Sequence, residues 1–146
     1  LVKKIPLDQF LDKADVFLLK RSYDVEGNVP KLFRGQIYKD HLSGTLGQLY
    51  PYIGCFVITK NIEFWKNCYK IYKRLDKNYK FWFGDQKVFK EIVDKKIHKF
   101  AFLNESDFAC PPRYINENKN PFLIHFKGKN SKYLIKDLYY QIYNKN

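Results

Sequence analysis

Two short stretches carry the side chains of this sequence best suited to chemistry. The first is Phe122-Leu123-Ile124-His125-Phe126-Lys127-Gly128, followed by Lys129, Ser131 and Lys132. Its apolar run reads as a buried strand that ends on an imidazole, and a glycine-containing, lysine-rich loop follows. Ligands of open α/β sheets sit outside the carboxyl ends of the strands. A histidine there, with lysines beyond it, is arranged to meet an anion or a metal-bound phosphate. A core hydrogen bond is the plainer reading of a lone histidine, and the lysines of the loop set the anion reading beside it. The second stretch is Phe83-Gly84-Asp85-Gln86-Lys87-Val88-Phe89. An aspartate after glycine and before an amphipathic run is a good helix N-cap, worth about 1 kcal/mol. On that reading Gln86 is an exposed first-turn residue.

The elements that would position these groups alternate in type. Asp8 to Lys13 suits a short helical turn, and Ala14 to Lys20 a buried strand, because Val16 to Leu19 is continuously apolar. Asp24 to Pro30 is a turn-rich connector. Leu32 to Tyr50 keeps no helical period, and its glycines at 35, 44 and 47 form no phosphate-loop pattern, so a surface connection is expected. Tyr52 to Thr59 is the clearest strand. Asn61 should cap the helix after it, where Phe64, Trp65, Cys68, Ile71, Tyr72 and Leu75 recur at three and four residues. That stripe, interleaved with lysines, could stack bases. Its 3.6-residue period is met more simply by aromatics turned inward and lysines in water. A second helix from Gln86 to about Lys95 would bury Val88, Phe89, Ile92 and Val93. Phe100 to Leu103 and Asp107 to Cys110 read as short strands, the second ended by Pro111-Pro112. Ser131 would cap a final helix with Leu134, Leu138, Tyr139 and Ile142 on one face. The alternation predicts an α/β fold in which a mixed sheet is packed by helices, with residues 14–20, 53–59 and 122–126 in one sheet.

Composition narrows the function. A chain of 146 residues, 45% hydrophobic and 29% charged, suits one globular domain over 1–146. No run of 18 apolar residues encodes a transmembrane helix, and the N-terminus lacks the apolar core of a signal peptide. The net charge of +12 raises nucleic acid as a partner. However, lysine supplies 23 of the 27 basic residues and arginine only 4, whereas base readout leans on arginine. A phosphate-bearing ligand or peripheral contact with an acidic membrane surface fits the charge better than specific nucleic-acid binding. Cys55, Cys68 and Cys110 are odd in number and far apart, which argues against structural zinc. Cys55 and Cys68 read as core thiols, and a reducing, cytoplasmic setting is expected.

Together the two stretches resemble the C-terminal half of a nucleotide-sugar-dependent glycosyltransferase. The likeness is to the metal-dependent retaining enzymes with a DxD motif, of the galactosyltransferase and glycogenin type or the capsular-sugar and mannosyl transferases. It rests on the order of Tyr52-Ile53-Gly54-Cys55-Phe56-Val57-Ile58, Asp85-Gln86 and His125-Phe126-Lys127-Gly128. Ile5-Pro6-Leu7-Asp8-Gln9-Phe10-Leu11 is similar to the segment after the DxD strand. The resemblance implies the acceptor-side half of a GT-A fold. It also implies transfer of a hexose, with retention, from a nucleotide-diphosphate sugar to a carbohydrate acceptor. Asp85 would hold sugar hydroxyls and Gln86 would lie near the anomeric carbon. Gly54, Gly128, Lys129 and Lys132 would meet the donor and its diphosphate, and His125 would bind Mn2+ or Mg2+. Breaking the sugar–diphosphate bond leaves negative charge on the phosphates, which a metal and cations stabilise. It leaves positive charge on the sugar, which carboxylate or amide oxygens stabilise.

This sequence departs from the family pattern at three points. Tyr52-Ile53 stands where the family has asparagine and a small residue before the glycine. The family spacing places its diphosphate lysine at Ser131, so Lys129 or Lys132 would serve through a loop shift. No Asp-x-Asp occurs near residue 1, and there is no methionine. The expectation is therefore a C-terminal portion of a larger transferase domain, inactive alone, whose metal requires aspartates outside this chain. A basic nucleic-acid-binding module and a catalytically inactive interaction domain of the same fold are the alternatives.

Overall fold

The computed structural model describes residues 5, 7–10, 12–118, 121–126 and 129–143. They form two compact units, a larger one spanning Pro6–Glu105 and a smaller one from Ser106 onward. The architecture is mixed α/β, with a small mixed sheet and helices.

In the larger unit, β1 (Val16–Lys20) follows a 3-10 turn at Leu7–Gln9. Its first four residues are fully covered, as their continuous apolar run requires of a central strand. A two-residue hairpin, β2 (Leu32–Phe33) and β3 (Gln36–Ile37), comes next, followed by a 3-10 turn at Lys39–Leu42 and the single-turn α1 (Leu46–Leu49). Thr45 and Gln48 close a reciprocal capping box on α1. Next are β4 (Tyr52–Thr59), α2 (Ile62–Arg74), α3 (Lys77–Phe81), α4 (Gly84–Asp94) and β5 (Phe100–Asn104). The sheet order is β4-β1-β5, with β4 antiparallel and β5 parallel to β1. Asn61 caps α2 as the sequence predicts, its Oδ1 accepting the Glu63 amide at 2.9 Å.

The β1–β4 ladder is interrupted at Leu18/Leu19. Leu18 pairs with Val57, yet Leu19 pairs with Ile53, so Gly54, Cys55 and Phe56 bulge from the register. Bulges bend a strand and re-aim its side chains, often beside functional sites. Below the sheet, Val16 and Leu18 pack with Phe64, Cys68 and Ile71 of α2 and with Val88, Phe89 and Ile92 of α4. Both helix periodicities predict these residues, but Trp65 and Tyr72 of the expected α2 stripe lie outside the cluster and are exposed.

Several sequence expectations are corrected. Residues 122–126 do not form a strand of the sheet; β5 occupies the third position. In the smaller unit, Ile124 makes only an isolated bridge to Cys110. That segment is tied down by three backbone bonds, from Phe122 N to Asp107 O, from Cys110 N to Leu123 O and from His125 N to Cys110 O. Prolines at 111, 112 and 121 lack the N–H groups a longer ladder needs. Residues 107–110 are not a strand either: Glu105–Phe108 is one helical turn, α5. Ser131 lies inside α6 (Lys129–Lys132) instead of capping the last helix, which is the separate α7 (Leu134–Tyr143). Leu134 and Tyr139 on α7 are exposed and Leu138 is half-buried, so none of the described residues of the expected apolar face is buried. Cys55, in the bulge, is exposed where a core thiol was expected, whereas Cys68 and Cys110 are buried.

Leu32 to Tyr50 is more than a surface connection: Leu32, Ile37 and Leu42 are exposed, but three of its side chains enter the interior. Tyr38, His41 and Tyr50 are buried in a second cluster with Val29, Tyr79 and Phe83. His41 stacks on Tyr38 with ring centroids 4.5 Å apart and meets the edge of Phe83. The Pro30 carbonyl can only accept, so His41 Nδ1–H donates to it at 2.8 Å. Nε2 then accepts the Tyr50 hydroxyl at 2.7 Å. Short elements of two to four residues build this cluster, which is why no period betrays it.

Candidate functional site

The site begins at the bulge in β4. An added Cβ on Gly54 would fall on the Asp85 carboxylate, meeting Cγ at 2.9 Å and Cβ at 3.2 Å, with Oδ2 closer still. The backbone of Gly54 is not in the left-handed region. Space, not conformation, therefore demands glycine here. Asp85 is the second residue of α4, where the free amides and dipole of a helix start favour a carboxylate. It is not the N-cap that the sequence suggests. That position belongs to Phe83, whose φ of 63° turns the chain into the helix with no side-chain cap. Gly84 permits the corner, because a Cβ there would stand 2.6 Å from the Tyr79 carbonyl oxygen. Freed from capping, the Asp85 side chain is exposed and makes no hydrogen bond or ion pair among the described residues.

Gln86 departs from its expected exposure; it is 7% accessible. Arg21, one residue past β1, donates from a terminal nitrogen to Gln86 Oε1 at 2.7 Å. Because guanidinium only donates, the amide oxygen must face it and the Gln86 NH2 group faces away. Arg21 is itself fixed: Nε donates to the Tyr50 carbonyl at 3.0 Å and its backbone N–H to Pro51 O at 2.8 Å. Burial lowers its pKa from the ordinary arginine value, while Glu105, Asp24 and Cys55 pull the other way. Glu105, buried just past β5, accepts the Ser22 and Tyr23 amides at 3.0 and 3.2 Å and so clamps the chain leaving Arg21. The parallel strands β1 and β5 thus end at Arg21 and Glu105, at the edge where β4 begins and α4 starts. This is the kind of edge where α/β sheets bind ligands.

Gly54, Asp85 and Gln86 are therefore brought together, although 31 residues separate the first two. The other expected site residues belong to the smaller unit. His125 is half-buried and its backbone is fixed on Cys110. Lys132 is exposed in α6 and Lys129 opens that helix. Gly128 lies outside the described residues. No group of three His, Cys, Asp or Glu suited to a metal ion occurs among the described residues. His125 thus does not by itself make the metal centre that the resemblance implies. Sequence reasoning missed Arg21 and Glu105. Their signal was position: each directly follows or nearly follows a parallel strand, and Arg21 is an arginine in a chain of lysines. No protein family, curated protein or solved structure matches this chain.

Chemically, the arrangement offers a carboxylate with no partner among the described residues, able to accept hydrogen bonds from hydroxyl groups, a carboxamide held in one orientation, and a cation behind it. Such a set suits a neutral, hydroxyl-rich ligand at the sheet edge.

Proposed function

We propose that this chain is the acceptor-side part of a GT-A-type glycosyltransferase, which moves a hexose from a nucleotide-diphosphate sugar to a carbohydrate acceptor with retention. One observation carries the reading. The Asp-Gln pair and the strand glycine, linked in the sequence only by a family resemblance, meet in one place, with the aspartate unpaired among the described residues and the glutamine oriented by Arg21. In this assignment Asp85 accepts hydroxyl hydrogen bonds from the donor hexose. Gln86 presents its carboxamide beside the anomeric carbon, and Arg21 is a positioning residue that sets which end of that amide faces the sugar. For His125, Lys129 and Lys132, which belong to the smaller unit, the metal and diphosphate roles rest on the family resemblance alone. Mn2+ or Mg2+ would neutralise the leaving diphosphate when bound, with further ligands beside His125.

Saturation-transfer NMR of the whole chain against a panel of nucleotide-diphosphate hexoses tests this, because it detects millimolar binding. Saturation of the hexose ring protons is expected for at least one donor, falling several-fold in Asp85→Ala. Saturation confined to the nucleotide, or hexose signals indifferent to Asp85→Ala, would overturn the assignment.

A further inference from the structure

We propose that the outward face of α2 docks on an anionic lipid surface. This goes beyond the transferase reading and does not depend on it. The inward face of α2 carries Phe64, Cys68 and Ile71 and is consumed by the core. A second apolar stripe is left outside: Ile62, Trp65, Tyr69 and Tyr72, at steps of three, four and three residues, are 63%, 44%, 60% and 38% exposed. The expectation that the α2 aromatics turn inward therefore holds for Phe64 and fails for Trp65 and Tyr72. Helical geometry sets Lys66, Lys70 and Lys73 along the edge of this stripe. Beyond them opens a surface pocket of about 400 Å³ lined by Asn67, Lys70, Ile71, Lys73, Arg74, Lys95 and Ile97, with no acidic side chain in that lining. The neighbouring Glu91 is engaged by Arg74 at 3.3 Å and Lys95 at 3.0 Å, and Glu63 by Lys66 at 2.5 Å.

An aromatic and aliphatic stripe bordered by lysines is the pattern of a helix lying in the headgroup layer. Tryptophan and tyrosine favour that depth, and lysines are drawn to anionic headgroups. The same residue types could stack nucleic-acid bases, but the geometry favours lipid. Lys73 Nζ lies 4.9 Å from the centre of the Tyr69 ring and Lys80 Nζ 5.8 Å from that of Tyr72, so ammonium groups overlie planes that bases would need. Ile62 offers no plane at all. A single helix also presents a ridge, which fits a soft interface better than a strand of bases needing a groove.

The test is co-sedimentation of the whole chain with phosphatidylcholine vesicles, with and without phosphatidylserine. Binding is expected only when phosphatidylserine is present, weakening as salt rises. Trp65→Ser/Tyr69→Ser should lower partitioning at least tenfold with the far-UV spectrum unchanged; the urea midpoint should fall modestly, because the Trp65 ring also meets Phe64 at 4.9 Å, and Tyr69→Ser alone should lower partitioning with the midpoint nearly unchanged. Neutralising Lys66, Lys70 and Lys73 with glutamine should cost roughly fivefold per charge. A lipid-borne quencher should dim emission in the parent chain and much less in Trp65→Phe. No binding to anionic vesicles at low salt would overturn the proposal. So would vesicle binding indifferent to the Trp65/Tyr69 change, or a change that abolishes oligonucleotide binding or self-association while leaving vesicle binding intact.

Discussion

Replacing Gly54 with alanine probes the join between β4 and α4 at its tightest point. The new methyl group would meet Asp85 Cγ at 2.9 Å and Cβ at 3.2 Å, both inside ordinary contact distance. The Asp85 carboxylate can leave only by turning out of the rotamer that holds it beside Gly54, into the few positions the new methyl group leaves open, so its two contacts carry most of the cost. The Cβ contact cannot be rotated away, so the start of α4 must yield by a few tenths of an ångström. Overpacking of this kind costs about 1–3 kcal/mol. Alanine returns roughly 0.5–1 kcal/mol by restricting the unfolded chain, since the backbone at 54 is one that alanine adopts readily. The expected net loss is therefore about 0–2.5 kcal/mol and centred a little above 1, measured as the urea midpoint by far-UV circular dichroism. In an Asp85→Ala background the carboxylate contacts are gone and only the 3.2 Å Cβ contact remains, so Gly54→Ala should cost about 1 kcal/mol less. The double-mutant cycle should show a coupling of about 1 kcal/mol. Equal costs in both backgrounds would refute the claim that glycine is required to make room for the Asp85 carboxylate.

Two further outcomes follow from the same structure. Arg21→Ala strands the buried Gln86 oxygen and the Tyr50 carbonyl, so a stability loss of about 1–3 kcal/mol is expected in urea titration; a loss below about 0.5 kcal/mol would contradict the assigned bonds. Burial pushes the Cys68 thiol from its ordinary 9.0 up to about 12, so the folded chain holds that proton where the unfolded chain releases it. Stability should fall as pH rises through that interval, and Cys68→Ala should flatten the slope of midpoint against pH; an unchanged slope would refute it.

Much of the larger unit was legible because its periods are unambiguous. The run Val16–Leu19 could only be a central strand. Phe64, Cys68 and Ile71, with Val88, Phe89 and Ile92, marked the inner faces of two helices. Tyr52–Thr59 matched its observed strand at both ends. Legibility failed where tertiary context overrides local pattern. The apolar run at 122–124 looked as strand-like as β5, but the prolines around it and the lack of a partner ladder leave a single bridge. Tyr38, His41 and Tyr50 sit on elements too short to show a period, so their burial was invisible. At the candidate site, Asp85 and Gln86 were singled out by their likeness to a motif, yet Asp85 was expected as the helix cap and Gln86 as exposed, and neither holds. The left-handed turn at Phe83 starts the helix earlier than a capping rule places it, freeing Asp85 and rotating Gln86 inward to Arg21. Pairing across 65 residues leaves no local trace, and for that reason Arg21 was missed.

The proposed transferase site can be read residue by residue from amide spectra of the ¹⁵N-labelled chain titrated with a nucleotide-diphosphate hexose. The Gly54 backbone amide and the Gln86 side-chain NH2 resonances should shift together and saturate at one donor concentration, and both shifts should shrink in Asp85→Ala. Shifts confined to the lysines of α2, with Gly54 and Gln86 unmoved at saturating donor, would contradict the assignment of this sheet edge as a sugar-binding site.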